Sequence, residues 1–305
     1  MTHHDDHHHG HGMAEDLPRI EALLARRRAL KWFAGAGTAA LVAGCGGSDA
    51  SGSSSSVSVT SSGATATPTP TATATPTPTA TATSTSTACI ADPTETAGPY
   101  PADGTNSASG STSNILTVSG IVRSDIRSSF ISTSTVATGV QLTITLTLVN
   151  VNAACAPLAG YAVYLWHCDR KGTYSLYTAA AESYLRGVQV TDANGQVTFT
   201  TIFPGCYDGR WPHMHFEIFS SLSNALGGKY AVLTSQLAMP SSWCATVYAD
   251  TTTYPASATN FAKVSLSNDN VFGDNSSAQL AQQTPTISGS VAAGLTGTAV
   301  IGIAR

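Results

Sequence analysis

Charge is what this chain has least of. Only 10% of its 305 residues are Asp, Glu, Lys or Arg, and 14 basic residues against 18 acidic ones leave a formal net charge of −4. With no basic excess to neutralise phosphates, nucleic-acid binding that rests on that term is excluded. Histidine is scarce where a fold could use it. Six of the nine (His3, His4, His7, His8, His9 and His11) fall in the first eleven residues, leaving His167, His213 and His215 beyond. The leading tract reads as a flexible segment ahead of a processed signal and stays out of any site. A strong helical period is missing after residue 44. The apolar run from Trp32 to Gly44, thirteen residues without a charge, is too short to span a membrane.

That run follows Arg26-Arg27-Arg28-Ala29-Leu30-Lys31 and ends at Cys45. Residues 1–44 therefore read as a signal peptide. The consecutive arginines resemble a twin-arginine signal, and Val42-Ala43-Gly44-Cys45 resembles a lipobox whose cysteine takes a lipid. An ordinary secretory signal with a coincidental cysteine leads to the same compartment. The expected location is outside the cytoplasm, as a cell-envelope lipoprotein or an extracellular protein, with membrane contact only through a lipid on Cys45. From Ser48 to Thr87 the chain is dominated by Ser, Thr, Ala, Gly and Pro with one charge, Asp49. Such a segment cannot offset its ordering entropy, so residues 45–87 are expected to form a disordered stalk. The folded part is then one domain over residues 88–305. A domain of that size needs neither metal nor disulfide merely to fold, so a metal found there would serve function.

The patterns past Ala88 are those of β-structure. Val140, Leu142, Ile144, Leu146 and Leu148 alternate with Gln141, Thr143, Thr145 and Thr147, which puts five aliphatic side chains on one face. Shorter runs at residues 116–122, 161–168, 188–191, 196–202, 213–219, 229–237 and 291–303 are separated by Gly, Pro, Asn and Asp. They predict an all-β fold, an antiparallel β-sandwich or barrel-like core with long loops. Asp192-Ala193-Asn194-Gly195 reads as a hairpin turn. Five cysteines follow Cys45 (Cys89, Cys155, Cys168, Cys206 and Cys244), an odd number for an exported chain in which disulfides are expected. Spacing does not set their connectivity, and Cys206 with Cys244 is one candidate pair.

In the predicted strand His213-Met214-His215-Phe216-Glu217-Ile218-Phe219, residues two apart share a face, so His213 and His215 project side by side. Two imidazoles rooted about 7 Å apart can converge on one metal ion. Few acids lie near these segments, and His167, between Trp166 and Cys168, reads more simply as a buried, hydrogen-bonded histidine. Tyrosine is the more plentiful donor. Tyr174 follows one strand in a turn and Tyr207 precedes the histidine strand in a loop, so both could reach the pair.

Five segments carry a family resemblance. Thr94-Glu95-Thr96-Ala97-Gly98-Pro99-Tyr100, Leu165-Trp166-His167-Cys168-Asp169 with Gly172-Thr173-Tyr174-Ser175, Tyr184-Leu185-Arg186-Gly187-Val188-Gln189, Phe203-Pro204-Gly205-Cys206-Tyr207, and Gly209-Arg210-Trp211-Pro212-His213-Met214-His215 resemble, in order, the intradiol ring-cleavage dioxygenases, the catechol and protocatechuate dioxygenase family, in its exported branch. The resemblance implies a non-haem Fe(III) bound by Tyr174, Tyr207, His213 and His215 with a solvent hydroxide. It also implies Arg210 as a catalytic cation, Tyr174 as the ligand displaced on substrate binding, and a catechol-type substrate that reacts with dioxygen to give a muconate. Phenolates are hard anions that favour the ferric state, and a bound cation reverses the usual cost of ionising tyrosine. The helical dimerisation region of the cytoplasmic catechol enzymes has no counterpart here, and the oligomeric state is not set. Only five residues separate Tyr207 from His213, a short wall that leaves the substrate's substituents open. Two other readings stand at this point. One is a stalked β-sandwich that binds a partner without catalysis, and the other is a zinc hydrolase using His213, His215 and His167.

Overall fold

Strand β1, Gln141–Asn150, grows from the period-2 run and buries Leu142, Ile144, Leu146 and Leu148 completely while its threonines face outward. The computed structural model describes residues 90–228 and 230–305. The expected signal peptide, Cys45 and the 45–87 stalk lie outside the described residues. Eight further strands follow: β2 (Ala156–Pro157), β3 (Ala162–Trp166), β4 (Arg186–Val190), β5 (Gln196–Ile202), β6 (His213–Phe219), β7 (Leu233–Ala238), β8 (Thr286–Ser290) and β9 (Gly294–Ile303). One sheet runs β2-β1-β9-β8, with β5 also paired to β1; the other runs β4-β3-β6-β7. Side chains of β1, β5 and β9 pack against Val163, Leu165, Met214, Phe216 and Ile218 to make the main core between the sheets.

The all-β expectation holds with corrections. The first sheet is mixed, because β1 and β9 are parallel with Leu142 opposite Leu295 and Asn150 opposite Ile303. Neither sheet closes into a barrel. Four short helices punctuate the second half of the chain: α1 (Leu222–Leu226), α2 (Ser241–Tyr248), α3 (Ser257–Phe261) and α4 (Ser277–Gln283). None exceeds eight residues, too short for a period to stand out in sequence. Among the described residues no helix is long and apolar enough to cross a membrane. The run at 116–122 is not a strand. Asn114 caps a 3₁₀ turn, Ile115–Thr117, by accepting from the Leu116 amide, and only Val122 forms a single bridge to Val188. The Asp192–Gly195 turn forms, with Gly195 at φ +72°, yet it joins β4 to β5 in the other sheet and so acts as a corner between sheets. Cys168, Cys206 and Cys244 are free and buried, so the candidate Cys206–Cys244 pair is not a disulfide. The Cys206 thiol turns toward the Tyr207 and Arg210 carbonyls and the Cys244 thiol toward that of Met239. Cys155 is disulfide-bonded.

The described chain begins by tying itself to its own end. The Asp92 amide donates to the Gly302 carbonyl (2.9 Å) and the Gly302 amide donates back to Asp92 Oδ2 (2.7 Å). Asp92 Oδ1 is buried with no partner among the described residues, and desolvation pushes this carboxyl up to about 7 against its hydrogen bonds from Gly302 and Gln282. The folded chain thus holds this proton more tightly than the unfolded one. The contribution of the group is intact below pH 4 and is lost as pH rises through 7, a swing of about 4 kcal/mol. Asp92→Asn carries no such titration. Denaturant unfolding at pH 4 and pH 8 should therefore show the variant gaining on the wild type by most of that amount at the higher pH, and a pH-independent difference would refute the assignment.

Candidate metal centre

The second sheet has a second buried face. On β6 the residues Met214, Phe216 and Ile218 enter the main core, so His213, His215 and Glu217 point the opposite way, where loops and the chain's first described segment cover them. Both histidines are about 2% exposed. Trp166, opposite His215 in the β3–β6 register, stacks on its ring at 4.9 Å with an interplanar angle of 7°. Tyr174 arrives on the loop between β3 and β4, and Tyr207 on the loop between β5 and β6. Gly172 lets those loops touch. It sits at φ +83°, and a Cβ there would lie 2.7 Å from Cβ of Tyr207.

The structure brings the four sequence-predicted donors together. Tyr207 Oη is 3.1 Å from His213 Nε2, Tyr174 Oη is 3.4 Å from His213 Nε2 and 3.2 Å from His215 Nε2, and the two Nε2 atoms are 3.1 Å apart. His213 Nδ1 donates to the Trp211 carbonyl at 2.5 Å, which directs the Nε2 lone pair inward. His215 Nδ1 has no hydrogen-bond partner among the described residues.

Burial pushes both imidazoles well below the usual histidine range, with the Arg210 charge adding to the effect, and pushes both phenols up. Four neutral groups therefore crowd their lone pairs into one point. Donors bound to a common ion at about 2.0–2.1 Å and near-right or tetrahedral angles stand about 3 Å apart, so this cluster has the spacing of a metal shell. Two hard phenol oxygens and two imidazole nitrogens suit a hard, highly charged ion such as Fe(III). Among the described residues no three His, Cys, Asp or Glu side chains gather to hold a metal without the tyrosines.

His167 is elsewhere. Its Nδ1 donates to the Cys168 carbonyl (2.8 Å), its Nε2 accepts from Thr201 Oγ1 (2.7 Å), and burial lowers it to about 4. Both ring nitrogens are committed, which removes the third ligand that the zinc reading needs.

Arg210 is buried rather than solvated. Its Nε donates to Asp269 Oδ2 (2.9 Å) and its Nη2 to Gln236 Oε1 (2.8 Å), in an ion pair that is almost wholly enclosed. Desolvation opposes its charge, but the Asp269 carboxylate outweighs that and raises it. Asp269 also accepts from the amides of Trp211 (2.7 Å), Val271 (2.9 Å) and Phe272 (3.1 Å). Gln236, opposite His215 in the β6–β7 register, passes the chain on by donating to the Thr96 carbonyl (2.9 Å). The sequence reading missed both holders of Arg210. Asp269 had one usable signal, since in a chain so poor in acids a lone loop aspartate is a natural counter-ion; Gln236 had none beyond being an amide in an apolar strand.

Residues 129–237 match the family model described as Dioxygenase. No curated protein matches the chain. An intradiol ring-cleavage dioxygenase from Tetranychus urticae superposes with a TM-score of 0.52 at 26% identity, over 71% of this chain and 95% of that one. The dioxygenase domain of a dioxygenase and carbohydrate-binding protein fusion from Streptomyces sp. SirexAA-E aligns with a TM-score of 0.43 at 22% identity, over 70% of this chain and 99% of that one.

Proposed function

We propose, from the premise that this chain resembles the intradiol ring-cleavage dioxygenases in sequence and in fold, that it is an exported non-haem Fe(III) dioxygenase. Its substrates are catechol-type diols, cut between the two hydroxyl-bearing carbons. One observation carries the reading: Tyr174, Tyr207, His213 and His215 converge their donor atoms with separations of 3.1–3.4 Å. Iron held there supplies Lewis acidity that activates the diol ring toward dioxygen. Tyr174 and Tyr207 would hold it as phenolates, each offering one negative charge against a trication. His213 and His215 bind as neutral imidazoles through Nε2. The buried Tyr174 Oη is the acceptor for one of the diol's two protons. Arg210 supplies a fixed positive charge, oriented by Asp269 and Gln236, against the negative charge that develops on the ring.

The short wall between Tyr207 and His213 supports a site tolerant of ring substituents. Asp208 and Gly209 are exposed, and a Cβ at Gly209 would meet nothing within 4 Å. The zinc reading loses its third histidine to Thr201 and Cys168. A non-catalytic binding domain leaves the convergence of four donors without a role. The reading as exported is supported by the arginine-led signal, and a lipid on Cys45 would tether the chain to a membrane.

Product analysis tests the reading. The iron-loaded protein should be red-brown from phenolate-to-iron charge transfer. It should consume one dioxygen per ring and turn catechol and at least one substituted catechol into muconates. Yellow semialdehyde from catechol, or a colourless protein fully loaded with iron, would refute it.

A further inference from the structure

Arg186 of β4 is wholly buried, and no carboxylate is among the acceptors it binds. It uses all five of its N–H donors instead. Nε donates to Ser175 Oγ (2.9 Å), Nη1 to the Pro101 carbonyl (3.0 Å) and Tyr164 Oη (3.0 Å), and Nη2 to the carbonyls of Tyr100 (3.0 Å) and Ser175 (2.9 Å). A guanidinium stripped of water costs free energy that only such bonds offset, so what it joins is informative. It joins the residue next to Tyr174 to the segment that covers the histidines.

That segment is pressed on the donor cluster. Gly98, at φ +71°, lies so close to His215 that a Cβ would stand 3.1 Å from its Cε1. Tyr100 places its ring 4.9 Å from that of Tyr174 and 5.0 Å from that of Tyr177. Tyr177 Oη in turn accepts from the Ala102 amide (2.9 Å). A shift of Tyr174 therefore pulls on the Arg186 fork and, through it, on residues 98–101.

We propose that Arg186 is a positioning residue that couples Tyr174 to the 98–101 segment, so that a proposed iron ligand and the wall facing it are set as one unit. The inference rests on the reading of Tyr174 as an iron ligand. Lysine cannot reproduce the coupling, because its compact ammonium has three donors and no planar fork.

The test uses the full chain with Arg186→Lys and, since that variant could fail to fold, the milder Ser175→Ala. In the iron-loaded protein either change should shift the visible band. Arg186→Lys should lower kcat on catechol by about 10²-fold, the scale of a misplacement of about 1 Å, and Ser175→Ala should move it in the same direction by less. A folded variant of lower thermal midpoint but with the wild-type band, kcat and KM would make Arg186 merely structural and overturn the proposal. A second readout is independent of iron. In the metal-free chain, amide hydrogen exchange should rise in residues 98–102 and 174–177 together, and a rise in only one segment or in neither also overturns the coupling. A colourless iron-loaded wild type defeats the site reading instead, and the exchange result then decides the coupling alone.

Discussion

Tyr207→Phe is expected to lose most of its iron and most of its colour while keeping its fold. The substitution removes one oxygen, conserves the ring that packs beside Tyr174 and His213, and so leaves the core volume unchanged. What disappears is the Oη that stands 3.1 Å from His213 Nε2. With it goes one of the two anionic charges that offset a ferric ion. Loss of an outer partner of a metal ligand already costs about 10–100-fold in affinity, and loss of a ligand should cost at least that. Iron content by elemental analysis and the visible spectrum, read beside a thermal midpoint, separate the outcomes. Wild-type iron content and colour in the variant would remove Tyr207 from the site.

Arg210→Gln is expected to keep iron and slow turnover by about 10²-fold or more, near 3 kcal/mol of transition-state stabilisation. The structure adds a complication that the sequence did not suggest. Removing the guanidinium also strands the buried Asp269 carboxylate, and breaking an enclosed ion pair costs about 3–5 kcal/mol of stability. A slow enzyme could then be slow only because it is loosened. The double variant Arg210→Gln/Asp269→Asn resolves this, since it removes both charges while the carboxamide oxygen, placed where Oδ1 stands, still accepts from the amides of Val271 and Phe272 and only the Trp211 amide loses its acceptor at Oδ2. Stability should return toward the wild type and turnover should not. Recovery of turnover along with stability would mean that Arg210 acts through the fold and not on the substrate.

The parts of this site that were legible in the sequence are those governed by local geometry. A two-residue period is enough to aim His213 and His215 at one point, and glycine-containing turns before and after short strands are enough to bring Tyr174 and Tyr207 near. The first residue of β6 and the span of β5 were readable for the same reason. What escaped was set by partners far away in the chain. The apolar run at 116–122 has the composition of a strand, but no neighbour offers it a ladder, and the Asn114 cap turns its start into a 3₁₀ helix. The Asp192–Gly195 turn has hairpin chemistry, yet β4 and β5 find better partners in β3 and β1. Cys206 and Cys244 are free thiols, each turned toward a neighbouring carbonyl, and sequence spacing carries no record of that. Asp269 reaches Arg210 across 59 positions, and Gln236 is fixed by strand register alone.

The parallel pairing of β1 with β9 also governs the order in which this chain can become itself. β1 precedes β9 by most of the domain, and the closure that joins Leu142 to Leu295 spans the seven other strands between them. Such a contact repays its loop-closure entropy only once every residue between is available, which makes folding slow and late. Until then β1 presents one unpaired edge rich in Val, Ile, Leu and Thr, the kind of surface on which nascent chains stick to one another. Because Asp92 is fastened to Gly302 on β9, the start of the segment that leads to residues 98–101 gains that anchor only when β9 is in place. A chain that stopped before β9 would keep all four donors in its sequence and lose both the partner of β1 and the anchor of Asp92.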